Sequence, residues 1–440
     1  MPYVPHTLKD TEEMLSTIGV ANIEELFEAV PQHLLQKGHF NVPSSLSEIE
    51  TREKVTRIAR KNKNATVSFV GGGFYHHFIP SHVGALAGRS EFYTAYTPYQ
   101  PEISQGILQA IFEYQTMITR LTAMDYTNAS MYDGSSASGE VCLMVASIND
   151  RKKILVARSV HPQYREVMQT YCEGKGLELV EIGFDAHSGK IDEAALEKEL
   201  NEEVAGVFVQ SPNFFGVVEN MKAISEMAHA KEALSVQVVT EALSLGLLTP
   251  PGEVGVDICV GEGQSFGLPV SGGGPTFGFL ATQEAYMRKL PGRIVGETED
   301  TEGKKAYVLT LQAREQHIRR EKASSNICTN QALCALRGVI YLASLGQNLR
   351  PLAVLNHQNA LFFQKQLKDK GMQRTFSAPF FNEFVVNAED VKSIKTKLRE
   401  QDIDAGLDLG KLYPELAGKM LVCVTENINH DHMADYLAAL

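Results

Sequence analysis

The chain has 440 residues, 44% of them hydrophobic, and its 53 acidic and 41 basic side chains give a net charge of −12. That length suggests two domains with an extra terminal segment, and the apolar share leaves no shortage of core. The acidic balance argues against a general surface for nucleic acid or anionic membrane. The six cysteines (Cys142, Cys172, Cys259, Cys328, Cys334 and Cys423) are scattered without a C-x-x-C pair. Such scatter fits reduced thiols better than a disulfide framework or a zinc site. The opening MPYVPHTLKD has no signal-like apolar run, and no segment has the length to span a bilayer, so a soluble cytoplasmic protein is expected. Asn64-Ala-Thr66 and Asn128-Ala-Ser130 match the glycosylation pattern and are read as chance.

Residues 1–65 read as a helical arm. TEEMLSTIGV and NIEELFEAVP are short amphipathic patterns that end at glycine or proline. A third helix is expected to open with Ser45-x-x-Glu48, the spacing of a capping box, and to carry Leu46, Ile49, Val55 and Ile58 on one face. From about residue 66 to 320 the rhythm changes to short β-branched runs separated by helical patterns. TVSFV, KILVA, LELVEI, AGVFVQ, VQVVT and DICVG are strand candidates, and REVMQTYCEGKG, DEAALEKELNEE and MKAISEMAHAKEA are the helices between them. Continuous apolar strands alternating with helices predict an α/β domain with a mostly parallel sheet covered on both faces. In such sheets ligands bind at the carboxyl ends of the strands. Residues 321–440 begin with a long helical pattern, TNQALCALRGVIYLASLG, and continue as strand, helix, strand, helix, a small α+β domain.

Asp133-Gly134-Ser135-Ser136 falls between a strand candidate and an apolar helix, where free backbone N–H groups suit a phosphate. The same residues also make an ordinary helix cap, and taken alone that reading is the stronger. Glu241 stands just past a buried strand, either paired with a cofactor nitrogen or simply solvated. Gly261-Glu-Gly263 does not continue as a dinucleotide loop, because Phe266 occupies the place of the third glycine and no helix pattern follows. His76, His77 and His82 lack the spacing of one helical face and have no acidic or thiol neighbour in sequence, so they read as loop side chains rather than metal ligands. His430 and His432 are placed near the start of the last helix. VGEGQSFGLPVSGGGP, residues 260–275, has the form of a strand entering a glycine-rich active-site loop, yet no lysine occurs from Glu232 to Arg288. Two further segments concentrate chemistry. EFYTAYTPYQPEISQG, residues 91–106, is a rigid aromatic loop that suits core, oligomer contact or pocket lining. REQHIRREKASSNICTNQ, residues 314–331, is a basic turn that suits solvent or an anion.

YTPYQPE, PNFFG, PPGEVGVDICVGEGQSFG, RKLPGRIVGET and REQHIRREKASSNICTNQ, in this order, resemble the glycine cleavage system P-protein family, in its split form the subunit 1 half. The resemblance runs the whole length of the chain. It implies a pyridoxal-phosphate-dependent transferase fold of type I with a seven-stranded sheet. It also implies a partner, subunit 2, in a two-plus-two heterotetramer, and a lipoylated carrier, the H-protein. The implied reaction decarboxylates glycine and passes the aminomethyl group to the lipoyl arm. Subunit 2 would carry His-Lys where this chain reads Gln264-Ser265, so the Schiff base with pyridoxal phosphate would lie on the partner. Asp133, Gly134, Ser135, Glu241 and Ser265 would then be vestiges of a cofactor site. Family members of this half usually show aspartate in place of Glu241 and often in place of His76. Tyr96, Tyr99, Gln100 and Glu102 are expected to line the shared pocket, with Arg314, His317 and Asn326 at its boundary. Two other readings stay open: a non-catalytic scaffold, and an autonomous enzyme using a distant lysine such as Lys289 or Lys322.

Overall fold

The computed structural model describes residues 6–35 and 41–440. The chain separates into two units, residues 1–63 and 64–440. In the first, helices form at Leu8–Ile18 and Glu48–Ala59, each opened by a reciprocal capping box. The second box is Ser47 with Glu50 rather than Ser45 with Glu48, the same spacing two residues later. Starting there puts Glu48 and Glu50 in the first turn, where the helix dipole favours carboxylates. It also leaves Leu46 outside the helix. Between the two helices, Ile23–Phe27 makes only a 3-10 turn.

In the second unit the strands, in chain order, are β1 (Val67–Ser68), β2 (Tyr126–Thr127), β3 (Lys153–Ala157), β4 (Glu178–Ile182), β5 (Val204–Gln210), β6 (Leu234–Val239), β7 (Ile258–Glu262) and β8 (Gly278–Thr282). They are followed by β9 (Ile294–Glu299), β10 (Lys305–Thr310), β11 (Glu383–Asn387), β12 (Ile403–Asp404), β13 (Leu407–Asp408) and β14 (Lys419–Cys423). The central sheet has the order β2-β8-β7-β6-β5-β3-β4. It is parallel from β7 through β4, with β8 antiparallel to β7 and β2 antiparallel to β8. β5 and β6 are buried along their whole lengths, as strands covered on both faces must be. Each fully buried valine or phenylalanine there stabilises the fold by about 2–3 kcal/mol relative to exposure. The helices Gly134–Asn149 and Met221–His229 supply Val141, Val145, Ile224 and Ala228 to the same core.

The first strand candidate does not join this sheet. Residues 67–68 pair in parallel with β12, and Phe69 packs on Phe363 and Tyr436 at ring distances of 4.9 and 4.8 Å. The apolar run is real, but its neighbours come from the C-terminal part of the chain. That part contains the sheet β11-β14-β13 and the helices Leu349–Asp369, Val391–Glu400 and His430–Ala438. The predicted helix at 329–346 forms, and a second helix follows it. Ala332–Leu345 turns at Gly346–Asn348 into Leu349–Asp369. Among the described residues no helix is long and apolar enough to cross a membrane.

Candidate active site

The parallel strands end in register at one edge of the sheet. Gln210 closes β5, Thr240 and Glu241 follow β6, and Glu262, Gln264 and Ser265 end or follow β7. All six are buried. The helix that begins at Gly134 points its N-terminus at this edge. A Cβ at Gly134 would run into the Tyr164 hydroxyl and the backbone of Gly261, so only glycine allows β7 to approach so closely.

Two donors of that helix end, Gly134 N–H and Ser136 N–H, are already taken by side chains of this chain. Gly134 N–H donates to Glu262 Oε2 at 3.1 Å, and the other oxygen of Glu262 accepts from Thr276 Oγ1 and from Gln264 N–H at 3.2 Å. Asp133 caps the helix in the ordinary way. Its Oδ1 takes Ser136 N–H at 2.7 Å and the Ser135 hydroxyl at 2.5 Å. Burial pushes Glu262 up to about 8, against the pull of Thr276 and Gly134. A second carboxylate thus lies buried beside Asp133, where the sequence suggested a cup for phosphate.

Glu241 is held no less closely. Its Oε2 accepts from His77 Nε2 at 3.0 Å and Asn382 Nδ2 at 3.1 Å, while Leu243 N–H donates to Oε1 at 3.0 Å. The other face of His77 donates from Nδ1 to Glu426 Oε2 at 2.8 Å, and Asn356 Nδ2 and Phe78 N–H complete Glu426 at 2.9 and 2.6 Å. Burial alone would lower the His77 pKa. The Glu241 and Glu426 carboxylates on either side overcome that and raise it to about 10, so the ring is an imidazolium bridging two anions. Nearby, Glu383 accepts Gly72 N–H at 2.7 Å and the Tyr75 hydroxyl at 2.9 Å, and burial carries it up to about 7. Gln264 clasps Tyr75 through both backbone groups, accepting its N–H at 2.8 Å and donating to its carbonyl at 3.0 Å. His161, next to Gly72, donates from Nε2 to the Gly72 carbonyl at 2.9 Å and accepts Gln163 N–H at Nδ1. It is a neutral imidazole, with burial lowering its pKa to about 4. Ser265 is buried, and its hydroxyl has no partner among the described residues.

A second group of predicted residues lies at the surface. Tyr96 is 79% exposed, and Gln100, Glu102 and Asn326 are exposed as well. The two segments that contain them are tied together. Tyr99 OH accepts from Arg293 Nη2 at 2.8 Å, with the guanidinium 5.2 Å from the ring centroid. His317 stands edge-on to Tyr99 at 6.3 Å, and Arg314 donates to the Gly292 carbonyl at 2.8 Å. Thr97 and Thr329 join through their hydroxyls at 3.1 Å. This layer adjoins the helix N-terminus, since Cys328 N–H donates to Tyr132 OH at 3.1 Å.

The whole chain, residues 1–440, matches the family described as glycine cleavage system P-protein. It belongs to that family. A relative from Desulfitobacterium hafniense, named probable glycine dehydrogenase (decarboxylating) subunit 1, is 52% identical over 431 residues, 97% of this chain and 96% of its own length. A crystal structure of glycine decarboxylase (P-protein) of the glycine cleavage system, in inhibitor-bound form, superposes with TM-score 0.90 at 42% identity, covering 100% of this chain and 99% of that one. Sphingosine-1-phosphate lyase of Burkholderia pseudomallei, 13% identical, shares the fold at TM-score 0.66 over 92% of this chain and 93% of its own. The fold is that of the pyridoxal-phosphate-dependent transferases of type I.

The buried edge of this P-protein chain does not fit pyridoxal phosphate. Ser265 offers no amine, the Glu262 carboxylate occupies the helix end that would take a phosphate, and both oxygens of Glu241 are bonded within the chain. Sequence reasoning missed Glu262, hidden between two glycines. It also set His77 aside for want of acidic neighbours, which arrive from 164 and 349 residues away. Among the described residues no cluster of His, Cys, Asp or Glu is suited to a metal ion.

Proposed function

We propose that this chain is the lysine-free subunit of a two-subunit glycine decarboxylase and completes an active site whose pyridoxal phosphate is held by subunit 2. The observation that carries the reading is the carboxylate of Glu262 on Gly134 N–H, beside a serine where a Schiff-base lysine would stand. A site closed by its own side chains has little left to give a cofactor. What remains available is the surface loop that carries Tyr96, Tyr99, Gln100 and Glu102, with Arg314, His317 and Asn326 along its border.

In this reading the chain's own work is binding and orientation. Two phenols, an amide and a carboxylate on a loop braced by prolines reach into the partner's site, order the amino acid there and keep water out as carbon dioxide leaves. The electron-accepting chemistry belongs to the cofactor on subunit 2. The aminomethyl group then passes to the lipoyl arm of the H-protein. The assembly proposed is two of each subunit, working in the cytoplasm. The names carried by the relatives, a subunit 1 of glycine dehydrogenase, support the pairing.

The test is reconstitution. The purified chain should show no visible band of lysine-bound pyridoxal phosphate and no glycine–carbon dioxide exchange, and both should appear on mixing with subunit 2 and H-protein. Colour and activity from this chain alone would overturn the reading, and so would full activity from subunit 2 alone.

A further inference from the structure

Arg293 is a buried cation of the second unit that no carboxylate among the described residues balances. It sits in Pro291-Gly292-Arg293, just before β9, and is only 7% exposed. Its backbone is fixed, with Ala129 N–H donating to the Arg293 carbonyl at 2.7 Å. The side chain makes no ion pair with any carboxylate among the described residues. Nη2 instead donates to Tyr99 OH at 2.8 Å and to the Cys328 carbonyl. A buried guanidinium without a counter-charge is costly, and it persists where its field or its geometry is used.

The bond to Tyr99 has a directional consequence. A guanidinium only donates, so the phenol oxygen must accept from it, and the phenol's own proton has to point elsewhere. Among the described residues no acceptor takes that proton, and Tyr99 is 49% exposed. The proton is thus left for an acceptor from outside the described residues, on a loop whose Tyr96 and Gln100 are exposed as well. A phenol that accepts from a cation also becomes a better donor, because hydrogen bonds in a chain polarise one another. The ring itself is steadied by the guanidinium 5.2 Å from its centroid.

We infer that Arg293 is a positioning residue for the shared site, which holds Tyr99 with its hydroxyl proton directed out of this chain and strengthens that proton's bond to an anionic oxygen of the bound amino acid or cofactor. The inference rests on the reading that the aromatic loop enters the partner's site. Arg293 touches no substrate itself and acts through Tyr99.

The experiment is a double-mutant cycle in the assembled two-subunit enzyme. kcat and KM for glycine–carbon dioxide exchange would be measured for Tyr99→Phe, Arg293→Gln, Arg293→Lys and Tyr99→Phe/Arg293→Gln. One hydrogen bond to a charged group corresponds to roughly tenfold to a hundredfold in rate. Tyr99→Phe and Arg293→Gln should each lower kcat/KM by about that factor, and the double variant should be no worse than the poorer single one. Arg293→Lys, which keeps the charge and one donor, should recover part of the loss while Tyr99 is present and none in its absence. Independent factors that multiply in the double variant would overturn the inference, since Arg293 would then act without Tyr99. Full activity in Tyr99→Phe would sink the underlying reading of the loop, whatever Arg293 does. If Arg293→Gln fails to assemble with subunit 2, the cycle of Arg293→Lys with Tyr99→Phe makes the same comparison.

Discussion

Replacing His77 by glutamine removes the positive charge between Glu241 and Glu426 while keeping a side chain of similar reach. The pKa of the ring stands near 10 against an ordinary 6.5, because two carboxylates outweigh its burial. That gap of about 3.5 pH units, at about 1.4 kcal/mol each, sets a ceiling of about 5 kcal/mol on the charge's contribution. Breaking one side of a buried ion pair typically costs about 3–5 kcal/mol. A loss of about 3–4 kcal/mol at pH 7 is therefore expected. For a unit of this size that is a fall of roughly 4–6 °C in Tm, followed by circular dichroism. The pH dependence supplies the sharper test. Since the folded-state pKa lies above the unfolded one, the contribution is full below about 6.5 and declines as pH rises, vanishing past about 10. The gap in Tm between the natural chain and His77→Gln should accordingly narrow between pH 7 and pH 10. A gap that stays constant across that range would refute the imidazolium bridge, leaving only loss of packing.

The remaining predictions concern other parts of the molecule. Tyr96→Phe and Gln100→Ala, assembled with subunit 2, should each lower glycine–carbon dioxide exchange by about tenfold without moving Tm, a loss of one hydrogen bond apiece; unchanged exchange would remove these side chains from the site. Glu262→Leu should cost about 2–4 kcal/mol by stranding Gly134 N–H and the Thr276 hydroxyl, as read in denaturant unfolding. In the natural chain Glu262 favours the fold at low pH, and that benefit fades as pH rises through about 8, so Glu262→Gln should flatten the loss of Tm between pH 6 and pH 9. Phe69→Ala, which empties the space against Phe363 and Tyr436, should cost about 3–5 kcal/mol of unfolding free energy.

The parallel strands of the central sheet could be read from sequence because burial on both faces leaves unbroken apolar runs such as AGVFVQ and VQVVT. β8 escaped notice. Its GFLAT follows three glycines and a proline within a few residues, and its antiparallel return needs no helix to announce it. The middle of the arm shows the opposite failure, where helical periodicity in NIEELFEAVP yields a single 3-10 turn. At the candidate site the aromatic loop and the basic turn stood out by composition, but their junction at Arg293 did not, since nothing in the sequence pairs Arg293 with Tyr99, 194 residues away. The clamp on His77 was beyond reach for a plainer reason. Its two carboxylates are remote in sequence, and only the fold brings β6, β14 and the loop at 77 to one point. What the sequence did expose was an absence, the missing lysine, because a gap of 57 residues needs no geometry to be seen.

The seating of Glu262 on the helix end also bears on how such a chain could change. Under the proposed reading, a lysine placed at Ser265 would meet a helix terminus whose Gly134 N–H is already bonded to Glu262, a carboxylate at 241 already committed to His77, and Gln264 locked to Tyr75. No single substitution undoes all three. Each contact that stabilises the closed interior also raises the number of simultaneous changes needed to reopen it. The division of labour between the two subunits would then act as a ratchet, held by ordinary folding stability rather than by selection on the lost chemistry.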